Sequence, residues 1–151
     1  MSKRKRSVCD RCPRLAEIVD GTPACINDVC LIQLLRADLE PTILGRRTRS
    51  PLVLPVFFSI ESPDDKGRTL NLGEAVLLQE EVNTVISVLR ENNIIITALH
   101  NHWLFEEPRL MYMHWEAVSD PKRFLRASLA ALNAAGVKTM PLIPQADDDE
   151  S

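Results

Sequence analysis

A chain of 151 residues with 45% hydrophobic and 26% charged content suffices for one globular core and is too short for two ordinary domains. Its formal net charge of -3 and pI of about 5.6 argue against a dedicated nucleic-acid binder, which spreads basic charge over a whole face. No apolar run reaches the ~20 residues that cross a bilayer, and Lys3, Arg4, Lys5 and Arg6 are not followed by a signal-like apolar stretch, so the expectation is a cytoplasmic protein without a membrane partner.

In chain order, residues 1–10 read as a basic flexible start, 11–143 as a single α+β domain and 144–151 as an acidic disordered tail around Asp147, Asp148, Asp149 and Glu150. Residues 11–20 predict a short helix ended by Gly21, and 24–35 a strand turned at Asn27 and Asp28. Cys9, Cys12, Cys25 and Cys30 fall in this region. A Cys-x-x-Cys pair followed by two more cysteines offers four thiolates for zinc, although the second pair, with four intervening residues, is at the upper end of the two to four that structural sites use, and Cys30 opens an apolar run. The competing reading is buried reduced thiols, the normal state in a cytoplasm. A redox pair at Cys9 and Cys12 lacks the strand and helix order of such motifs.

Thr42–Thr48 and Leu52–Ile60 predict two further strands, with Pro55 arguing for an edge or a bulge; an edge of that kind would suit a homodimer. Ser62–Gly67 reads as a loop, and Asn71, Leu72, Gly73 and Glu74 as a turn. From Gln79 to Glu91, Val82, Val85, Ile86 and Leu89 fall at helical spacing, with Glu80 and Glu81 at the positive end and Asn92 and Asn93 at the exit. Ile94–His102 is a β-branched strand, Trp103–Pro108 a loop and Leu110–Val118 a second strand, so the two should pair as an antiparallel hairpin. Asp120 caps a last helix with Pro121 at its first position, running to Gly136. The order strand, helix, strand, strand, helix predicts an α+β fold with the two main helices on one face of an antiparallel sheet.

The hairpin carries every histidine in the chain. Alternation puts Met111, Met113, Trp115 and Ala117 on the core face and Tyr112, His114 and Glu116 on the other, while His100 and His102 share a face because they are two residues apart. A symmetric closure would place Thr97 opposite His114 and separate the third imidazole from the first two. A one-residue asymmetry or bulge that sets Ile96 or Ala98 opposite His114 unites all three.

Three neutral imidazoles from two adjacent strands form a facial ligand set that leaves positions open for water or substrate; zinc is the first choice among divalent metals. Glu106 or Glu107, in the loop, or Glu74 could complete it as ligand or general base, and Arg109 could orient an anionic group. The bland reading pairs the same histidines with backbone carbonyls or Glu116. An His-x-His pair followed by Glu is similar to the first metal motif of cupins, but the flanking glycines are absent and His114 comes too soon. The letters His-Asn-His are not accompanied by the ββα-metal signature of an HNH nuclease.

Residues 71–121, with "NLGE", an acidic helix start, "TALHNH", a short loop and a strand bearing a further histidine, resemble the core motif of the LppY/LpqO-type family of uncharacterised bacterial proteins. The resemblance covers about a third of the chain. It implies a short member of that family and points to Glu74, Glu81, His100, Asn101, His102, Pro108, Arg109 and His114, but it implies no activity. Two functional classes follow. One is a metal-dependent, hydrolase-like enzyme with His100, His102 and His114 on the metal and Glu74, Glu107 and Arg109 as catalytic groups. The other is a non-catalytic regulatory or interaction module, without metal, whose small-molecule or protein partner docks at the Trp103, Leu104 and Phe105 loop.

Overall fold

Strand alternation and helix-stop signals build an α+β fold, of which the computed structural model describes residues 7–144. Helix α1 (Cys12–Val19) leads into a hairpin of β1 (Thr22–Ile26) and β2 (Val29–Arg36). The short strands β3 (Thr42–Ile43) and β4 (Arg46–Arg47) precede β5 (Pro55–Glu61), β6 (Thr69–Leu78), α2 (Val82–Glu91) and β7 (Ile95–His100). The chain then forms β8 (Glu106–Glu107), β9 (Leu110–Ser119), α3 (Pro121–Ala134) and β10 (Thr139–Pro141).

Seven strands make one antiparallel sheet in the order β1-β2-β5-β6-β9-β7, with β10 also paired to β2; β4, β3 and β8 make a second, three-stranded sheet. All three helices cover the same face of the large sheet. Leu15 and Val19 of α1, Val85 and Leu89 of α2, and Phe124, Leu125 and Leu132 of α3 bury against Ile32, Phe58, Leu77, Met113 and Trp115. Burying a large apolar side chain contributes about 1.5–3 kcal/mol, so this layer is the main source of stability. A smaller core of Val53, Leu54, Val76, Leu110 and Tyr112 covers one end of the opposite face, where the 37–54 segment folds over the sheet. Among the described residues, no helix lies on the rest of that face.

Several expectations change. Asn71–Glu74 is the middle of β6, the strand beside β9, not a turn. Gly73 sits there because the Trp115 indole lies across it: a Cβ would stand 2.3 Å from Trp115 Nε1. Glycine inside a strand marks such a close approach as well as a turn. Pro55 is the first residue of an interior strand, where its missing N–H costs no ladder bond, and not on an edge. Thr42–Thr48 is not one strand but two short ones around Leu44 and Gly45, whose φ values of 52° and 74° make the tight hairpin turn. Of the start expected to be flexible, residues 7–10 are built in, with Val8 buried. Residues 1–6 and the acidic tail from 145 lie outside the described residues.

The cysteines are the largest correction. Cys9 is bonded to Cys25 and Cys12 to Cys30, with Cα separations of 5.6 and 5.3 Å, so neither four reduced thiols nor a four-thiolate zinc site is present. One bond ties α1 to the β1–β2 hairpin through Cys12, and the other ties the 3-10 turn before α1 to it through Cys9. Cys25 and Cys30 face each other across that hairpin, each bonded to a different cysteine of the N-terminal segment.

Candidate metal centre

The geometry of the outer face follows from strand register. β6 and β9 pair along ten residues each, setting Glu74 directly opposite His114. On the other side of β9, Ile96 faces Trp115 but Ala98 faces His114, so Thr97 is an extra residue bulged out of β7. The bulge returns His100 to the outer face opposite Tyr112. This is the asymmetry the histidines require. Phe57, Glu74, His114 and Ala98 form one row across four strands, and Val76, Tyr112 and His100 the next.

The chain leaves β7 at His100 and folds His102 back over this second row. Its ring stacks on Tyr112 at 3.9 Å between centroids with an 11° tilt. Tyr112 is fixed in turn: its hydroxyl donates to the Val53 carbonyl at 2.7 Å and accepts from Trp103 Nε1 at 3.0 Å. Burial first, with Glu106 and Glu74 adding to it against the Trp103 hydrogen bond, pushes the Tyr112 phenol up to about 12, so it stays a donor. Trp103 is therefore an anchor of the site loop, while Leu104 and Phe105 are exposed.

His100 lies 4.6 Å from His102 and 5.1 Å from His114, centroid to centroid, and one ligand nitrogen from each of the three rings can be chosen so that all lie within 4.8 Å of one another. Nitrogens about 2.0–2.1 Å from a tetrahedral zinc stand about 3.4 Å apart, a spacing inside this limit. Desolvation, reinforced by His100 and His114 against the pull of Glu74, lowers the pKa of His102 and favours the neutral imidazole that metals bind.

Two shallow depressions flank Glu74. One, of about 240 Å³, includes Leu31, Phe57, Leu72 and His114; the other, of about 340 Å³, includes Leu52, Phe57, His102 and Trp103. A larger acidic cavity of about 650 Å³, at Asp28, Glu61, Asp64 and Asp65, contains none of the histidines.

The remaining expected site residues are not brought to this cluster. Glu107 is exposed on β8 opposite Thr42, and Arg109 is an exposed side chain whose Nε lies 3.2 Å from Glu106 Oε1 in an ion pair. Neither lines the depressions beside Glu74. The acidic loop residue of structural note is Glu106, whose side chain is only 3% exposed and whose Oε2 has no hydrogen-bond partner. Glu81 serves the fold: its carboxylate takes Arg36 Nη1 and Nη2 at 2.7 and 2.6 Å and the Leu78 N–H at 2.6 Å. Asn101 donates to the Trp103 carbonyl and shapes the loop, and Pro108 follows a cis peptide bond.

A family model described as a Domain of Unknown Function (DUF1259) matches residues 13–134. The chain belongs to that family. The match covers the three helices, except the first residue of α1, and nine of the ten strands, and so takes in the whole histidine cluster. No curated protein and no solved structure matches the chain. Among the described residues, no helix is long and apolar enough to cross a membrane.

Proposed function

We propose that this member of the uncharacterised family binds one divalent metal ion, zinc first, through His100, His102 and His114, with Glu74 as fourth donor or as the base beside it. The observation that carries the reading is the bulge at Thr97, which brings all three histidines to one side of the sheet with ligand atoms within 4.8 Å. Two of them rest on ordered supports, His102 on Tyr112 and His114 beside Glu74. With the three histidines as the protein ligands and Glu74 beside the ion, the centre keeps an open position and suits binding a small ligand or hydrolysing one; Glu74 then accepts a proton from a water there. Hydrolysis is the first activity to assay. Glu107 and Arg109 line neither depression beside Glu74, so this reading does not use them.

Elemental analysis of protein prepared without a histidine tag tests the proposal. One zinc per chain is expected, retained when the four cysteines are replaced and lost in the His100→Ala, His102→Ala double variant. Because metal-bound imidazoles are neutral, protons compete with the metal and affinity should fall as the solution is made acidic. The resemblance to LppY/LpqO-type proteins adds the same histidines and Glu74 to the argument without adding an activity. The two disulfides favour an oxidising compartment over the cytoplasm expected from composition.

A second reading rests on a separate observation. Leu44, Leu104 and Phe105 are each more than 70% exposed, and the Leu44 N–H donates to the Phe105 carbonyl, so the two loops present one apolar tip. That tip suits a metal-independent protein partner. Retained partner binding in the double histidine variant, with loss in Phe105→Ser, would favour it.

A further inference from the structure

The larger depression beside Glu74 has a divided chemistry. Pro51, Leu52, Pro55, Phe57 and Trp103 supply its apolar walls, and the ionisable residues lining it are Glu74 and His102. Its apolar walls thus lead to His102, one of the three clustered histidines. Leu52 is 70% exposed at its outer lip, an apolar side chain kept in solvent where a bound chain would cover it.

Charge selects the head group. Three neutral imidazoles and the Glu74 carboxylate around a divalent cation leave one net positive charge, which one monoanion neutralises. We propose that, resting on the reading given under Proposed function, the centre takes a small monoanionic organic acid: its anionic head on the open metal position, its apolar chain along Leu52 and Phe57. The cavity of about 340 Å³ lies at the lower end of the range for small-molecule sites, which limits the ligand to a short chain or a single ring. Pro51, Pro55 and the Trp103–Tyr112 hydrogen bond make the walls stiff, so little ordering opposes binding.

The test uses two hydroxamates with the same metal-seeking head and different chains. Zinc-loaded full-length protein is titrated with acetohydroxamate and with hexanohydroxamate by calorimetry. Four added methylenes, partly covered in an open groove, should tighten binding about tenfold or more. Leu52→Ala, which replaces an exposed side chain and so tests the groove without threatening the fold, should remove most of that gain, and Phe57→Ala should do the same. Leu72→Ala, beside the other depression, should leave the gain intact. Equal affinity for the two hydroxamates at full zinc occupancy, or a gain abolished by Leu72→Ala and not by Leu52→Ala, overturns this inference alone. Failure of the protein to hold zinc before any hydroxamate is added overturns the metal centre, and this inference with it.

Discussion

Gly73 and Trp115 show how far a single position constrains the site. Trp115 is buried on the helix side of β9, donates to Ser128 Oγ at 3.1 Å and occupies the space where a residue 73 side chain would begin. Gly73→Ala should therefore destabilise by about 1–3 kcal/mol, read as a shift in urea midpoint, because backbone and indole must part. They would part at the residue next to Glu74. Tyr112→Phe strands the buried Val53 carbonyl and the Trp103 N–H; a loss of about 1–3 kcal/mol is expected, with weaker zinc binding because His102 loses its anchored platform. Unchanged zinc affinity in that variant would show that the stack does not position His102.

Arg36 forms another constraint, remote in role from the histidines. It is 2% exposed and held by both oxygens of Glu81 and both of Asp38. Burial acts to raise the Asp38 pKa, but hydrogen bonds and charge from Arg36 prevail and lower it. A carboxylate depressed in the folded state contributes stability that is complete above its unfolded value of about 3.9 and is lost as pH falls through the lower folded value. Asp38→Asn should accordingly flatten the acid limb of a stability-against-pH curve below about pH 4, measured by urea melts. Glu81 was legible in the sequence only as a helix-start acid. Its partner Arg36 stands 45 residues away, and nothing local announces the pair.

At the scale of the element, alternation in β9 was readable from the sequence, because a half-buried strand repeats every two residues. Register was not, because it turns on one bulged residue in β7 and on a loop that detours through β8. The two outcomes on paper, histidines together or apart, differed by Thr97 alone. β6 was missed because Asn71, Gly73 and Glu74 are turn-prone residues, and their strand role comes from neighbours on both sides. Among acidic residues, Glu106 and Glu107 look alike in sequence; only the pairing of β8 with β3 buries one and exposes the other. A pair of deletions tests the bulge. Removing Thr97 should heal it and leave Ala98 opposite His114, preserving zinc binding. Removing Leu99, beyond the bulge, should shift His100 opposite Met113 on the helix-facing side and abolish it.

For the whole molecule, an antiparallel sheet with its two main helices on one face was expected from element order. What the sequence did not convey was the 37–54 segment, which covers one end of the second face and gives the histidines a wall to lie beside. The disulfides were missed for a different reason: inferring reduced thiols required a compartment, and composition does not specify one. They close loops of 16 and 18 residues' separation, for which the chain-entropy account gives about 3 kcal/mol each. Reduction should lower the melting temperature and expose α1 to proteolysis while zinc remains bound, since no cysteine belongs to the histidine face.

The central claim is a coordination sphere shared by three imidazoles, and the most direct measurement is X-ray absorption spectroscopy at the zinc edge on stoichiometrically loaded protein. The account predicts three nitrogen ligands at about 2.0–2.1 Å with oxygen completing the shell and no sulfur. A sulfur shell near 2.3 Å, or a spectrum unchanged by His114→Ala, would contradict it.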